Sequence, residues 1–448
     1  MPEIPSAWLR PRVRLIFVPI LLLAAVAWSG HHLYRSYAVL FNHSDHELAF
    51  LWALTFSIVV WHLSLSWLER PFKVSDAEAV ALDALFVTVN VPVYNEDPAA
   101  LRLSLQSLLA QSRPAQRIEV VNDGSTLHLG ELAEIREWWR SQAGRTRCEW
   151  VDIPNGGKRH AQTTTFATDE EAEIFMTVDS DTILDRRCLE EALKPFAQAD
   201  VMSVAGVILA YNNRNRFVRM TDAWMIGFQL NMRAAMSKLG CVLVNSGSCS
   251  LYRAAIVHEA IPVYRTEIFR GRRVEFSDDS LLTLIAQLRG RTVQQSTCFA
   301  FTVLPANVSH HIRQQLRWMR GSTIRSIWRF RYLPIASFGY WENFVSWLSF
   351  VLMLFAFVFI FVVGPLFGGG QLGAQMVAVS VLLFYMFAAK YLTVARSDQG
   401  LRFQLGTLLM APLMLVWSIV VLRPLRLYSI ATCHRTGWGT REKVEVAL

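Results

Sequence analysis

Apolar positions follow three rhythms along this chain. Near both ends they form unbroken runs. Four of these, at roughly 13–30, 48–68, 342–363 and 374–394, approach the ~20 residues a helix needs to cross a bilayer. Between about Asp76 and Arg331 the runs are short, and polar clusters follow them. "LFVTVNVPVYNE" (85–96) predicts a strand feeding a loop, and "LRLSLQSLLAQ" (101–111) has apolar residues at helical spacing. "RIEVVNDGS" (117–125) predicts a second strand with turn residues after it, and "EIFMTVDSDT" another buried strand. Strands alternating with helices predict an α/β domain with a parallel sheet. Ligands of such sheets lie beyond the C-terminal strand ends, where the polar clusters fall.

Basic flanks orient the apolar runs. Arg10, Arg12 and Arg14 place the N-terminus inside, and the loop 31–47, with one arginine, goes outside. Glu69, Arg70 and Lys73 return the chain to the cytosol, so the central domain is cytosolic. The uncharged loop "GPLFGGGQLGA" (364–374) fits outside, and Lys390, Arg396 and Arg402 fit inside. A fifth apolar run, Phe403 to Leu422, would carry the basic tail Arg423 to Lys443 outside if it crossed. Pro412 and Pro424 interrupt it, so 403–430 is expected to be interfacial or re-entrant. The expected units are a membrane region 1–75, a cytosolic domain 76–305, interfacial helices 306–340, a membrane and interfacial region 341–430, and a cytosolic tail 431–448. The basic, apolar run at the N-terminus lacks a small-residue cleavage site and is not read as a signal peptide.

Composition agrees with a membrane chain: hydrophobic residues make up 53% and charged residues 18%, with a net charge of +8. The positive balance fits a membrane surface. No dense basic tract or finger motif speaks for nucleic acid. The six cysteines show neither a CxxC pair nor zinc-site spacing and read as reduced thiols of a cytosolic-facing domain.

The chemistry concentrates in a few strings. Asp179 and Asp181, at spacing i, i+2 after a buried strand, offer hard oxygen ligands suited to Mg²⁺ or Mn²⁺ with substrate phosphates; surface loops also carry such pairs. Tyr94 and Glu96 follow the first strand and Asp123 the second, where a planar base could stack on the ring and donate to a carboxylate; ordinary turn chemistry is the alternative. Lys158 and Arg159, after a glycine pair, could hold a diphosphate or lie in a solvated loop. In "EFSDDSLL", Asp278 and Asp279 precede a helical run, one as a cap and the other as a general base whose pKa its neighbour raises. Gln314, Arg317 and Trp318 share one helix face, suited to a sugar diphosphate or to an interfacial helix. Trp438, between glycines, reads as a loop with an aromatic tip.

In this order, VPVYNE, NDGS, GKR, DSD, SDD, QQLRW and WGTR resemble the membrane-integrated, processive family-2 glycosyltransferases. The likeness covers nearly the whole chain. "RGRTVQQST" (289–297), "RQQLRW" (313–318), "ILAYNNRNRFVRMTDAW" (208–224) and the terminal "GWGTRE" look most like the hyaluronan synthase and chitin-oligosaccharide synthase branch.

The resemblance implies a GT-A type domain, UDP-sugar donors, a growing polysaccharide, Mg²⁺ or Mn²⁺, and a multi-pass enzyme of the plasma membrane working as a single chain. It implies that Tyr94, Glu96 and Asp123 contact uridine, that Lys158 and Asp179 support the nucleotide, and that Asp181, with Asp179, holds the metal. Asp279, beside Asp278, would be the base. Gln314, Arg317 and Trp318 would bind diphosphate and acceptor sugar. Ser248 and Cys249 would lie at the acceptor, and Trp438, Thr440 and Arg441 would close over the nucleotide. Three strings depart from the pattern: Ser277 stands where the family usually has glycine, "MRGSTIRS" follows QQLRW, and "SGSCSLYR" (246–253) replaces a Gly-Pro form.

Overall fold

The computed structural model describes residues 4–11, 46–142, 144–358 and 370–437, with single positions at 20, 24, 27 and 31. The expected span 13–30, most of the loop 31–47, the outer loop from 364 to 369, and Trp438, Thr440 and Arg441 lie outside the described residues.

Strand β1 is Ala7–Leu9. The central sheet takes β2 (Val87–Val93), β3 (Arg117–Asp123), β4 (Arg147–Ile153), β5 (Ile174–Thr177), β6 (Ile183–Leu184), β7 (Val201–Ala210) and β8 (Ser250–Arg253). A small hairpin follows, β9 (Ile268–Phe269) and β10 (Arg272–Arg273), then β11 (Arg291–Thr302) and β12 (Val394–Arg396). The eight-stranded sheet runs β4-β3-β2-β5-β8-β7-β11-β6. Strands β4, β3, β2 and β5 are parallel, β8 is antiparallel to both neighbours, and β7 with β11 is parallel again.

Every residue of β2 is buried, as a strand covered on both faces by crossover helices must be. Helix Pro98–Leu109 starts where Asp97 accepts from the N–H groups of Ala99 and Ala100. Its Leu101, Leu105 and Leu108 join Val89, Val91, Ile118, Val120 and Met176 in the main core. From β2 the chain winds outward through β3 to β4 and then returns to the other side of β2 as β5. That reversal is a topological switch point, where a cleft opens beyond the strand ends.

The expected spans at 48–68, 342–363 and 374–394 correspond to helices His46–Leu68, Phe338–Val358 and Gly370–Ala389. The first two are joined by a buried contact of His62 Nε2 with Glu342 Oε1 at 2.7 Å. The fifth apolar run breaks before Pro412, as expected: helix Leu401–Leu408 ends and a new helix opens at Ala411. It does not break at Pro424. Residues Ala411–Ala431 form one helix, the one among the described residues that is long and apolar enough by length and composition to cross a membrane. Pro412 and Pro424 each sit in the first turn of a segment, and a π-helical stretch, Ser418–Leu422, leads into the second. The wider π turn absorbs the hydrogen bond a proline cannot donate.

Both ends of this region return to the central domain. Strand β1 pairs antiparallel with β12, the Ala7 N–H donates to Asp185 Oδ2 at 3.0 Å, and Arg396 donates to the Ala210 carbonyl at 2.7 Å. At the other end the Glu275 N–H donates to the Thr436 carbonyl at 3.2 Å.

Candidate active site

Four strand ends and two helix starts enclose the cleft. At the end of β2, Asn95 adopts φ 49°. Its Oδ1 accepts from the Thr126 and Leu127 N–H groups at 2.7 and 3.1 Å, which fixes the loop after β3. Tyr94 is half-buried beside it. Glu96 accepts from the Ser180 hydroxyl at 2.5 Å, tying this strand end to the paired aspartates. Asp123, at the end of β3, is buried and accepts from the Gly156 and Gly157 N–H groups at 2.8 and 2.9 Å. Its observed role is therefore to shape the loop that launches helix Lys158–Thr168. Gly157, at φ 89°, makes the turn into that helix, a conformation glycine adopts without strain.

Lys158 stands at the centre. Its Nζ lies 2.6 Å from Asp179 Oδ1 and 3.0 Å from Asp278 Oδ2. Burial would lower its pKa, but the two carboxylates outweigh burial and raise it. Asp278 shows the converse: burial raises its pKa, and Lys158 more than offsets this and holds the carboxyl below its usual range. Asp279 forms no ion pair among the described residues. Burial first, and then the neighbouring Asp278 charge, push it up to about 7, and the Lys158 charge only partly offsets them. It keeps a partly exposed edge while accepting from the Ser280 N–H at 2.7 Å and the Gly247 N–H at 3.1 Å.

The DSD string closes the cleft on its far side. Both oxygens of Asp179 are engaged, one by Lys158 and the other by the Ser248 hydroxyl at 3.1 Å. Asp181 is partly exposed, with Thr302 Oγ1 donating to it at 3.3 Å. One forward carboxylate with a second beside it fits a Mg²⁺ or Mn²⁺ ion that takes its remaining ligands from phosphates and water.

The long helix Val308–Tyr332 begins at Asn307, whose side chain accepts from the His310 N–H at 2.8 Å. Gln314 and Arg317 are partly exposed and Trp318 is 44% exposed. One turn on, Gly321 touches the turn before the acid pair. Ser277 there is left-handed, at φ 59°, and a Cβ at Gly321 would fall on its Oγ. Two of the departures noted in the sequence are thus in contact.

Two expectations need correction. Arg159 does not face the cleft: its Nη2 lies 2.8 Å from Glu267 and 2.7 Å from the Phe276 carbonyl, because the first turn of its helix points Lys158 and Arg159 in different directions. Cys249 does not reach an acceptor either. It is wholly buried in the main core, since alternate residues of an extended segment face opposite ways and Ser248 takes the cleft side.

Sequence reasoning missed Glu267. It accepts from Arg159, from both terminal nitrogens of Arg325 at 3.0 and 3.1 Å, and from Trp328 Nε1 at 3.0 Å. Arg325 also donates to Ser280 Oγ at 3.2 Å. This cluster fastens the long helix to the turn carrying the acids. No local pattern marks Glu267, which lies in "YRTEIF".

Residues 84–321 match the family described as "Glycosyltransferase like family 2". The chain is 32% identical over 396 residues to a hyaluronan synthase of Streptococcus pyogenes, covering 87% of this chain and 89% of that one. It is 32% identical over 255 residues to an N-acetylglucosaminyltransferase of Sinorhizobium fredii, covering 55% of this chain and 60% of that one. Among solved structures, a mannosyltransferase from Pyrobaculum calidifontis, in complex with GDP-Man and Mn²⁺, superposes with a TM-score of 0.51 at 18% identity, covering 88% of this chain and 98% of that one. That likeness concerns the fold.

Proposed function

This chain belongs to glycosyltransferase family 2 and is a UDP-sugar-dependent enzyme; from that premise we propose that it is a processive, inverting synthase that makes a hyaluronan-type polymer from UDP-GlcNAc and UDP-GlcA and passes it through its own membrane region. The observation that carries the mechanism is the contrast between the two adjacent acids. Asp278 is held ionised by Lys158 and is occupied. Asp279, which forms no ion pair among the described residues and is poised near neutrality, is the group suited to take a proton from the acceptor hydroxyl. That hydroxyl attacks the anomeric carbon opposite the departing UDP, and an α-linked donor gives a β-linked product.

In this reading Lys158 takes up the negative charge that grows on the leaving diphosphate, and Arg317 is a second cation for it. A divalent ion on Asp181, beside Asp179, would supply further neutralisation of the diphosphate. Tyr94 and Glu96 border the space for the base. Gln314 and Trp318 offer an amide and an indole face to the acceptor sugar. Trp438, Thr440 and Arg441 are proposed to close over the nucleotide; they follow Thr436 in sequence, whose carbonyl accepts from the Glu275 N–H near the acid turn.

The membrane arrangement has its own support. Strand β1 and residue 396 both contact the catalytic domain, which fits an even number of crossings on either side of it. Helix Ala411–Ala431 is flanked at both ends by segments bonded to that domain. Its Arg426 donates to the Met319 carbonyl of the long helix at 2.8 Å. This favours a helix lying at the interface, leaving the tail on the cytosolic side.

The test is UDP release by the purified, detergent-solubilised chain with Mg²⁺ or Mn²⁺, with UDP-GlcNAc, UDP-GlcA and UDP-Glc supplied singly and in pairs. Sustained release only with UDP-GlcNAc plus UDP-GlcA, and a product cut by a hyaluronan lyase, is expected. Sustained release with one donor alone would replace the two-sugar reading with a homopolymer synthase. Polymer left wholly outside inverted sealed vesicles would refute export.

A further inference from the structure

Behind the cleft, three cysteines from distant parts of the chain meet. Cys188 opens helix Cys188–Leu193, Cys249 precedes β8, and Cys298 lies on β11. Their sulfurs form a triangle with sides of 3.3 Å (188 to 298), 3.6 Å (188 to 249) and 3.6 Å (249 to 298). All three residues have no exposed surface. Among the described residues, this is the group of three His, Cys, Asp or Glu side chains whose ligand atoms converge closely enough for one ion.

Two neighbours are fitted to the triangle. Gly206 on β7 leaves it room: a Cβ there would stand 2.7 Å from Cys249 Sγ and 3.0 Å from Cys298 Sγ. Arg233 is buried nearby and donates to Gln294 Oε1, the Gly206 carbonyl and Gln229 Oε1, at 2.5, 2.5 and 2.6 Å. These acceptors are all neutral, and a buried guanidinium calls for a counter-charge. The Asp279 carboxyl supplies part of it at longer range, and the adjacent sulfurs of Cys249 and Cys298 can supply the rest. Hydrogen bonds from the other two thiols, assisted by the Arg233 charge, hold Cys249 well below the ordinary thiol range despite its burial.

We propose that Cys188, Cys249 and Cys298 form a trithiolate site for a soft divalent cation of the Zn²⁺ and Cd²⁺ class. On binding, the remaining S–H protons leave to solvent and three metal–sulfur bonds form. Three thiolates on a divalent ion carry one net negative charge, which Arg233 balances inside the core. Metal–sulfur bonds of about 2.3 Å at tetrahedral angles set the sulfurs roughly 3.8 Å apart, so the triangle opens by a few tenths of an ångström. The site sits directly behind the chemistry. Cys249 follows Ser248 and Gly247, which hydrogen-bond Asp179 and Asp279, so an ion would pin that loop from the back. The proposal is independent of which sugars are transferred.

The probe is Cd²⁺, because thiolate-to-cadmium charge transfer absorbs in the ultraviolet and reports sulfur ligation directly. In the full-length variant C148S/C241S/C433S the only cysteines left are these three. After Cd²⁺ loading and desalting, one ion per chain with a charge-transfer band of three-thiolate size is expected, and Zn²⁺ should displace part of it. Absence of that band, or a band of one-thiolate size, would overturn the site. The complementary variant C188A/C298A should lose the tightly held ion; if it keeps one equivalent with the same band, the ligands lie elsewhere and the assignment fails. The first variant decides the matter even where the second fails to fold.

Discussion

Asp278 and Asp279 are adjacent in the chain and opposite in circumstance. One is locked to Lys158, and the other is crowded by burial and by its neighbour's charge. Asp279→Asn should therefore lower turnover by ~10²–10⁴-fold, the usual worth of a general base, with UDP binding retained in calorimetry. Because the base must be unprotonated, kcat should rise as pH increases through about 7. Asp278→Asn removes the negative neighbour and leaves Lys158 less neutralised. Both changes lower the Asp279 pKa, so the acid limb should move to lower pH in the surviving activity. The pair Ser277 and Gly321 makes a second residue-scale prediction. Gly321→Ala should reduce kcat and stability, whereas Ser277→Gly relieves a left-handed serine. The double variant should recover most of the loss, with a coupling of roughly 1–3 kcal/mol in a double-mutant cycle; additive losses would show that the two side chains do not compete for space. The aspartates were legible as short spacings. The contact of Ser277 with Gly321 was not, because it depends on how a distant helix is docked.

At the scale of elements, what binds the long helix Val308–Tyr332 to the acid turn is Glu267, between two buried arginines. Burial would raise its pKa, but Arg325 and Arg159 overcome this and hold it low. The stability it contributes is present above the unfolded carboxyl value of about 4.3 and is lost as pH falls through the depressed folded value. Glu267→Gln should cost about 3–5 kcal/mol, as expected when one partner of a buried pair is removed, read from thermal unfolding in detergent. Strands β2, β3 and β5 were visible in the sequence because strands covered on both faces read as apolar runs ending in turn residues. Glu267 was hidden because its partner Arg159 lies 108 positions away, and no local rhythm records such a pairing. The antiparallel insertion of β8 was hidden for the same reason. The interruption at Pro412 was legible, because proline opens a helix and cannot continue one; the continuation through Pro424 was misjudged because the π turn before it was not foreseen.

For the whole molecule, the arrangement of ends is as informative as the cleft. Strand β1, β12 and the segment around Thr436 all touch the catalytic domain. A cysteine placed at Ser6 should therefore react with a membrane-impermeant maleimide only from the side that exposes the catalytic domain. Labelling of Ser6→Cys from the opposite side of sealed vesicles would overturn the proposed even count of crossings. Beyond topology, the pairing of β1 with β12 sets a schedule. Ser6 donates its N–H to Ser397, 391 positions later. At ~5–20 residues per second, a ribosome needs roughly 20–80 s to make the second partner after the first. Through nearly all of synthesis the first strand has nothing to pair with, so its closure is a late event, and a chain released before residue 394 leaves an open edge as a mark of incompleteness.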